Sequence, residues 1–183
     1  MAFYDFDEML AYSNGARKTT DIETIRHLLP GCTDVTKTDT KTDKTGVDYI
    51  ATLRRGARVL IDAKTRQPGA RRWWRDGVPD LALEKWSVIP TEAQIGKTGW
   101  TLSEASSVDY VLFTYMPEDC TTVFLYPFQL LRLTFRTNIL EWQQTYPLKE
   151  QTSDGWKSSC MFVPEPVVWQ AMRAIVAQKV VTP

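Results

Sequence analysis

The segment GVDYIATLRRGARVLIDAKTR, residues 46–66, contains two apolar runs that are separated by Arg55-Gly56. Both runs are rich in the β-branched and aromatic residues that strands favour, and the glycine between them is typical of a tight turn. The segment therefore predicts an antiparallel hairpin. Asp48 lies near the start of its first strand, and Asp62 and Lys64 lie near the end of its second strand. Charges in apolar strands are costly to bury unless they are paired or bind a ligand.

Strand alternation brings these three charged residues together. Asp62 and Lys64 are two positions apart and share a face of the strand. In a simple hairpin register, Asp48 lies within one or two positions of Lys64. Two carboxylates can bind a hard cation such as Mg²⁺, with the backbone carbonyl of Ala63 as a further ligand. Lys64 would then orient the attacking water or stabilise the transition state of phosphoryl chemistry.

A solvent-facing charge pair is the alternative interpretation of these residues. Asp39-Thr40-Lys41 has the same spacing as Asp62-Ala63-Lys64, but it lies in the wholly polar run KTDTKTDKTG. A solvated loop is the simple interpretation of that run. Asp62 instead follows the apolar residues RVLI, where an unpaired charge is costly.

The remaining pattern predicts one α/β (α+β) domain over residues 1–183, with a central mixed sheet flanked by helices. The candidate helices are FDEMLAYSN, TTDIETIRHLLPG, PFQLLRLTFRTNI and PEPVVWQAMRAIVAQKV, the last with an apolar face of Val168, Met172, Ile175 and Val176. The further candidate strands are the first half of CTDVTKTDTKTDKTG, LALEKWSVI, VDYVLFTYM, TTVFLYPF and SSCMFVP.

Bulk composition restricts the classes of function. The formal net charge is zero, so global charge gives no argument for a nucleic-acid partner. The single histidine, His27, excludes a histidine-rich zinc site and disfavours Ser-His-Asp catalysis. The N-terminal residues MAFYDFDEML lack a secretory signal, and no apolar run reaches the roughly 20 residues of a membrane span. We therefore expect a cytoplasmic protein without a membrane partner.

The acid, the hairpin turn and the apolar run into Asp-x-Lys resemble the PD-(D/E)XK nuclease superfamily. The resemblance covers roughly residues 20–135, where ALEKWS and GWTLSEASSVDYVLFTY are also similar to small nuclease-like proteins of phages and bacteria. It implies a restriction-endonuclease-like αβββαβ core, on which the C-terminal strand and helix pack. Asp48 matches the first acid, Asp62 the second and Lys64 the lysine, while Val47 replaces the proline that often precedes the first acid.

The resemblance also implies a cofactor and further acids. The cofactor is Mg²⁺, with Mn²⁺ as the alternative. Some members add a glutamate from the helix before the sheet, for which Glu23 is the first candidate and Glu8 the second. Glu84 is a candidate for a further acid of the site. A helix-capping role for Glu23 and a solvent-facing position for Glu84 are the alternatives.

The stretch TRQPGARRWWRDG begins where the Asp-x-Lys strand ends. Arginines there can bind phosphates, and an indole can stack on a base. The alternative is a loop whose tryptophans anchor in the core and whose arginines are solvated. The candidate nucleic-acid-binding residues are Arg66, Arg71, Arg72, Trp73, Trp74 and Arg75.

These observations predict a Mg²⁺-dependent nuclease that hydrolyses phosphodiester bonds of DNA in a bacterial or phage-infected cell. The alternative is a catalytically silent nuclease-like phage protein that binds nucleic acid or a host defence protein. A third hypothesis is a structural protein of a phage particle or replication complex, with the aromatic residues as an assembly surface. Assembly into a homo-oligomer is left open.

Overall fold

The computed structural model describes residues 16–39, 46–66, 74, 76–115, 122–153 and 155–181. Within these residues the chain forms three helices, nine strands and two short 3₁₀ turns, Arg54–Gly56 and Trp100–Leu102. The helices are α1 (Ala16–Leu28), α2 (Phe128–Thr145) and α3 (Glu165–Val181). The strands are β1 (Cys32–Lys37), β2 (Tyr49–Leu53), β3 (Arg58–Arg66), β4 (Asp80–Val88), β5 (Lys97–Thr98), β6 (Tyr110–Tyr115), β7 (Thr122–Pro127), β8 (Lys149–Ser153) and β9 (Trp156–Pro164). The candidate helix FDEMLAYSN lies outside the described residues.

The first sheet has five strands in the order β1-β2-β3-β6-β7. β3 and β6 are parallel, whereas the other neighbours are antiparallel. The predicted hairpin is confirmed, since Tyr49 lies opposite Ile61 and the chain reverses at Arg54–Gly56. The predicted edge strand is β1. Strand order thus follows the chain, with β2 and β7 running against the other three strands.

A second, antiparallel sheet was not expected. It has the order β5-β4-β9-β8, and its central pairing places Leu83 opposite Met161. LALEKWSVI is the strand β4, as predicted, but it belongs to this second sheet. The predicted mixed α+β fold is therefore confirmed, whereas the single central sheet is corrected to two sheets.

The two faces of the five-stranded sheet have different coverings. On one face, Ile25 of α1 packs with Tyr49, Ile61 and Leu112 in a buried cluster. On the other face lies a larger core with residues from both sheets, α2 and α3: Leu83, Phe113, Tyr115, Phe128, Met161 and Met172 are among them. Strand alternation directs Ile61 towards α1, so the side chains of Asp62 and Lys64 project to the second-sheet side.

The closing helix contains one departure from prediction. Val168, Met172 and Ile175 of α3 are buried, as expected, but Val176 is 47% exposed. Val176 therefore does not belong to the buried face. Among the described residues, no helix combines the length and the apolar character that a membrane crossing requires.

Candidate active site

Asp48 lies across the hairpin from the second half of β3, next to the last residue pair of the β2–β3 ladder. The backbone N–H of Asp48 donates to the carbonyl of Ile61 over 2.9 Å, although Ile61 is already the partner of Tyr49, so the regular β2–β3 register does not continue to Asp48. The carbonyl of Asp48 accepts from the N–H of Thr38 at 2.9 Å, which fixes the backbone from the other side. The backbone of Asp48 thus pairs one residue short of the simple register, and its side chain reaches the Asp62–Lys64 segment by accepting from the Ala63 N–H.

The Asp62 carboxyl is buried between a cation and a second acid. Its side chain is 7% exposed, and Lys64 Nζ donates to its Oδ1 over 2.7 Å. Burial raises the pKa of Asp62 to about 6, because removal from water disfavours the charged form. Lys64 opposes this rise, while Asp48 adds to it by charge and by a hydrogen bond between the two carboxyls. The two acids are therefore close enough to interact directly.

Ala63 connects the two acids through its backbone. Its N–H donates to Asp48 Oδ2 over 2.7 Å, a strong bond of the kind that positions a carboxylate. The N–H and C=O of one strand residue point to the same neighbour. The Ala63 carbonyl is therefore on the edge of β3 that faces the Asp48 carboxylate, which is where its predicted ligand role requires it.

Lys64 is held in its charged form by the acids around it. Its side chain is 35% exposed. Burial is the largest single influence and lowers the pKa of Lys64. The charge and hydrogen bond of Asp62, with the charges of Asp48 and Glu84, together outweigh burial, so the pKa is raised above its usual value. The amine also lies 5.4 Å from the centre of the Trp100 ring, within the range of a cation–π contact.

Glu84 reaches the site from the second sheet. Its Oε2 accepts from the Ser87 hydroxyl at 2.7 Å and from the backbone N–H of Trp100 at 2.9 Å. Gly99 allows this close approach, because a Cβ at that position would lie 2.4 Å from the Glu84 carbonyl oxygen. In the described part of the chain, no three His, Cys, Asp or Glu residues form a group suited to a metal ion. Glu84 is close enough to Lys64 to raise the pKa of that amine, but its described hydrogen bonds go to Ser87 and Trp100, and no group of three candidate ligands among the described residues includes it.

Glu23 is not brought to the site. It is exposed on α1, and that helix packs on the sheet face opposite to the one from which Asp62 and Lys64 project. The buried acid of α1 is Asp21, whose Oδ2 accepts from the Tyr49 hydroxyl over 3.0 Å. Helical spacing places Asp21 in line with Ile25, and this spacing could have marked it as the inward-facing acid. The second candidate, Glu8, lies outside the described residues.

The arginine–tryptophan stretch is described only at its ends. Arg71, Arg72, Trp73 and Arg75 lie outside the described residues, as does the side chain of Arg66 at the end of β3. Trp74 packs edge-on against Tyr115, with ring centres 5.4 Å apart, and joins the larger core. Stacking on a base is therefore not favoured for Trp74, because its ring is already engaged by the core; the anchor interpretation fits it better.

Trp100 is the site residue that sequence reasoning missed. No local feature of the run GKTGW indicates that its indole contacts Phe113 and Phe128 and lies beside Lys64. That placement depends on the second sheet, whose strands β4 and β9 are about 80 residues apart in the chain. Long-range pairing of this kind leaves no periodic signal at Trp100 itself.

Taken together, oxygen donors from Asp48, Asp62 and Ala63 line one strand edge beside a protonated lysine. Such a set can coordinate a hard divalent cation and place a positive group next to it. Comparison of the chain with protein-family models, with curated proteins and with solved structures finds no match.

Proposed function

We propose that this protein is a Mg²⁺-dependent nuclease that hydrolyses phosphodiester bonds of DNA. The observation that carries the proposal is the buried Asp62 carboxyl beside Asp48 and Lys64. Two adjacent acids in a poorly hydrated place oppose ionisation, and such an arrangement is typical of a site that binds a ligand. Local features that conflict with stability are expected at functional sites.

The donor set fits Mg²⁺ better than a metal held wholly by protein. Mg²⁺ is bound through one or two carboxylates, keeps several waters and accepts substrate phosphate oxygens. Asp48 and Asp62 supply the carboxylates, and the Ala63 carbonyl supplies a neutral oxygen. A bound Mg²⁺ would neutralise charge on the phosphoryl group and acidify a water, and Mn²⁺ would be the alternative ion.

The chain's own residues have separate tasks in this proposal. Asp48 and Asp62 would bind the cation and fix its position, with the Asp48 carboxyl held by the Ala63 N–H. Lys64 retains its proton at neutral pH because its pKa is raised, so it donates hydrogen bonds to phosphate oxygens and stabilises negative charge in the transition state. A lysine in this state cannot be the general base for the attacking water. Trp100 and Glu84 restrict the orientation of the Lys64 amine.

The chain topology gives partial support to the proposed PD-(D/E)XK-type core. One helix and three antiparallel strands are followed by β6, which is parallel to β3, as an αβββαβ order requires. The described part of the β3–β6 connection contains β4, β5 and a 3₁₀ turn, where the resemblance implies a helix. The support therefore rests mainly on the hairpin and its charged residues.

A cleavage assay tests the proposal. The full chain is mixed with circular and linear DNA, single- and double-stranded, in Mg²⁺, Mn²⁺ or EDTA. We expect metal-dependent cutting that is lost in Lys64→Ala. The matched control is Lys157→Ala, because Lys157 also pairs with a strand acid, Glu150, but both side chains are 57% exposed. No cutting of any substrate by the folded protein would refute the nuclease and favour the binding-protein alternative.

A further inference from the structure

The β2–β3 turn presents a cluster of arginines that the proposed reaction does not use. Arg54, Arg55 and Arg58 are all exposed. Within the described residues none of them forms an ion pair, whereas the nearby Arg26 is paired with Asp34 at 3.2 Å. Three exposed guanidinium groups within five residues form a local positive surface in a chain with no net charge. Arginine is well suited to phosphate, because its planar fork donates two parallel hydrogen bonds.

The backbone at Arg55 gives a second, independent indication. Arg55 has φ 75° and ψ 11°, in the left-handed region, and Gly56 follows at φ 78°. A left-handed position strains residues with a Cβ, and glycine, asparagine or aspartate is the usual choice. An arginine at this position therefore carries a conformational cost that asparagine would reduce. Such outliers cluster at ligand-binding positions, where the side chain serves a purpose other than folding.

The turn is also held rigidly. The Leu53 N–H donates to the Ala57 carbonyl over 2.8 Å, and the Arg54 N–H donates to the Gly31 carbonyl over 2.9 Å. The second bond ties the turn to the segment that leaves α1. The arginines thus project from a fixed backbone, which lowers the entropy lost when they bind a ligand.

The turn lies in line with the candidate active site. Arg58, Leu60, Asp62 and Lys64 share one face of β3 by strand alternation. Asp62 is four positions after Arg58 along the strand, which corresponds to about 13 Å. Each base pair of duplex DNA advances about 3.4 Å, so this separation corresponds to roughly four base pairs. One acid, Asp109, lies beside this part of β3, where its Oδ2 accepts from the Leu60 N–H at 2.8 Å.

We propose that the arginines of the β2–β3 turn, Arg54, Arg55 and Arg58, bind the phosphate backbone of duplex DNA about four base pairs from the bond that is cut. This inference deepens the proposed function and rests on it for the identity of the substrate. Contacts to phosphates position a nucleic acid without reading its sequence. The turn would thus align the duplex along β3 so that one phosphate reaches Asp62 and Lys64.

The test measures binding and stability together. A fluorescein-labelled 20-base-pair duplex of mixed sequence is titrated with the full chain in EDTA, so that no cutting is required, and anisotropy is followed from 0.05 to 0.3 M salt. The variant is Arg55→Asn, with Arg55→Lys to retain the charge. Arg173→Gln, an exposed arginine of α3, is the control for loss of one charge elsewhere.

Arg55→Asn should weaken binding to the duplex and at the same time stabilise the fold. One lost phosphate contact lowers the slope of log K against log salt by about 0.9, which corresponds to about eightfold weaker binding at 0.1 M salt. The same variant should raise the urea midpoint, because asparagine accepts the left-handed backbone. Arg55→Lys should retain most of the affinity, and Arg173→Gln should leave the slope unchanged.

Three results would overturn the inference: a wild-type chain that does not bind the duplex, an Arg55→Asn variant with unaltered affinity and slope, or an equal loss in Arg173→Gln. The proposed function and the role of the turn would be refuted by different results. Metal-dependent cutting with a normal Arg55→Asn variant would retain the nuclease and refute the role of the turn. Arginine-dependent binding without any cutting would retain the turn and refute the nuclease.

Discussion

Replacement of Asp62 by asparagine should stabilise the protein at neutral pH. Asparagine has nearly the shape of a protonated aspartate, and its amide can still accept from Lys64 and donate to Asp48. The pKa of Asp62 is about 6 in the folded chain against an ordinary value of 3.8. A difference of about two units corresponds to about 3 kcal/mol of folding free energy. Asp62 is almost fully buried, so solvent screening reduces this figure little.

The pH dependence follows from the direction of the shift. The folded chain binds a proton at Asp62 more tightly than the unfolded chain, so ionisation of Asp62 opposes folding. The loss of stability develops as the pH rises from about 4 to 6 and is complete above that range. Asp62→Asn should therefore match the wild type near pH 4 and exceed it by up to about 3 kcal/mol at pH 8.

Urea unfolding in EDTA at several pH values, monitored by tryptophan fluorescence, measures this difference in the free energy of unfolding. The control is Asp34→Asn, because Asp34 forms an exposed ion pair with Arg26 and should change stability by no more than about 0.5 kcal/mol. In a separate titration without EDTA, Mg²⁺ at about 100 times its dissociation constant should add about 2.7 kcal/mol to the free energy of unfolding of the wild type and little to that of Asp62→Asn. An Asp62→Asn protein that is no more stable than the wild type at pH 8 would refute the reasoning.

Three further predictions concern the surroundings of the site. Gly99→Ala places a Cβ 2.4 Å from the Glu84 carbonyl oxygen and should lower the free energy of unfolding by about 1–3 kcal/mol in urea titrations; an unchanged midpoint would contradict this packing. Glu84→Gln removes a charge that raises the pKa of Lys64, so the alkaline limb of the cleavage pH profile should move to lower pH, and an unmoved limb would show that the two groups are uncoupled. Tyr49→Phe removes a hydrogen bond to the buried Asp21 and should cost about 1–3 kcal/mol in the same unfolding assay, whereas a cost near zero would mean that the bond does not stabilise the fold.

The β2–β3 hairpin and its charged residues could be predicted because the signal is local. Alternation fixes the common face of Asp62 and Lys64, and a tight turn fixes a register that brings Asp48 close to them, although the register itself is irregular at Asp48. The same reasoning located the strands β6, β7 and β9 and the helices α1, α2 and α3. Each of these has a continuous apolar run or a helical repeat within its own residues.

The second sheet and the contacts of Lys64 could not be predicted in this way. β4 pairs with β9 across a long stretch of chain, and neither strand carries a mark of its partner. β8 was missed because its residues KEQTS are polar and its exposed positions do not alternate with buried ones. Trp100 and Glu84 acquire their positions from this sheet. Glu23 was preferred over Asp21 because residue type was considered without the helical face.

Cleavage of supercoiled plasmid by the wild type and by Asp48→Asn, in Mg²⁺ and in EDTA, tests the proposed site most directly. Asp48 is the acid whose carboxyl lies against Ala63 and Asp62, and its replacement leaves the Lys64–Asp62 pair in place. If the site is as proposed, the wild type will nick or linearise the plasmid only with the metal, and the folded Asp48→Asn protein will not. Metal-dependent cutting by Asp48→Asn at the wild-type rate would contradict it.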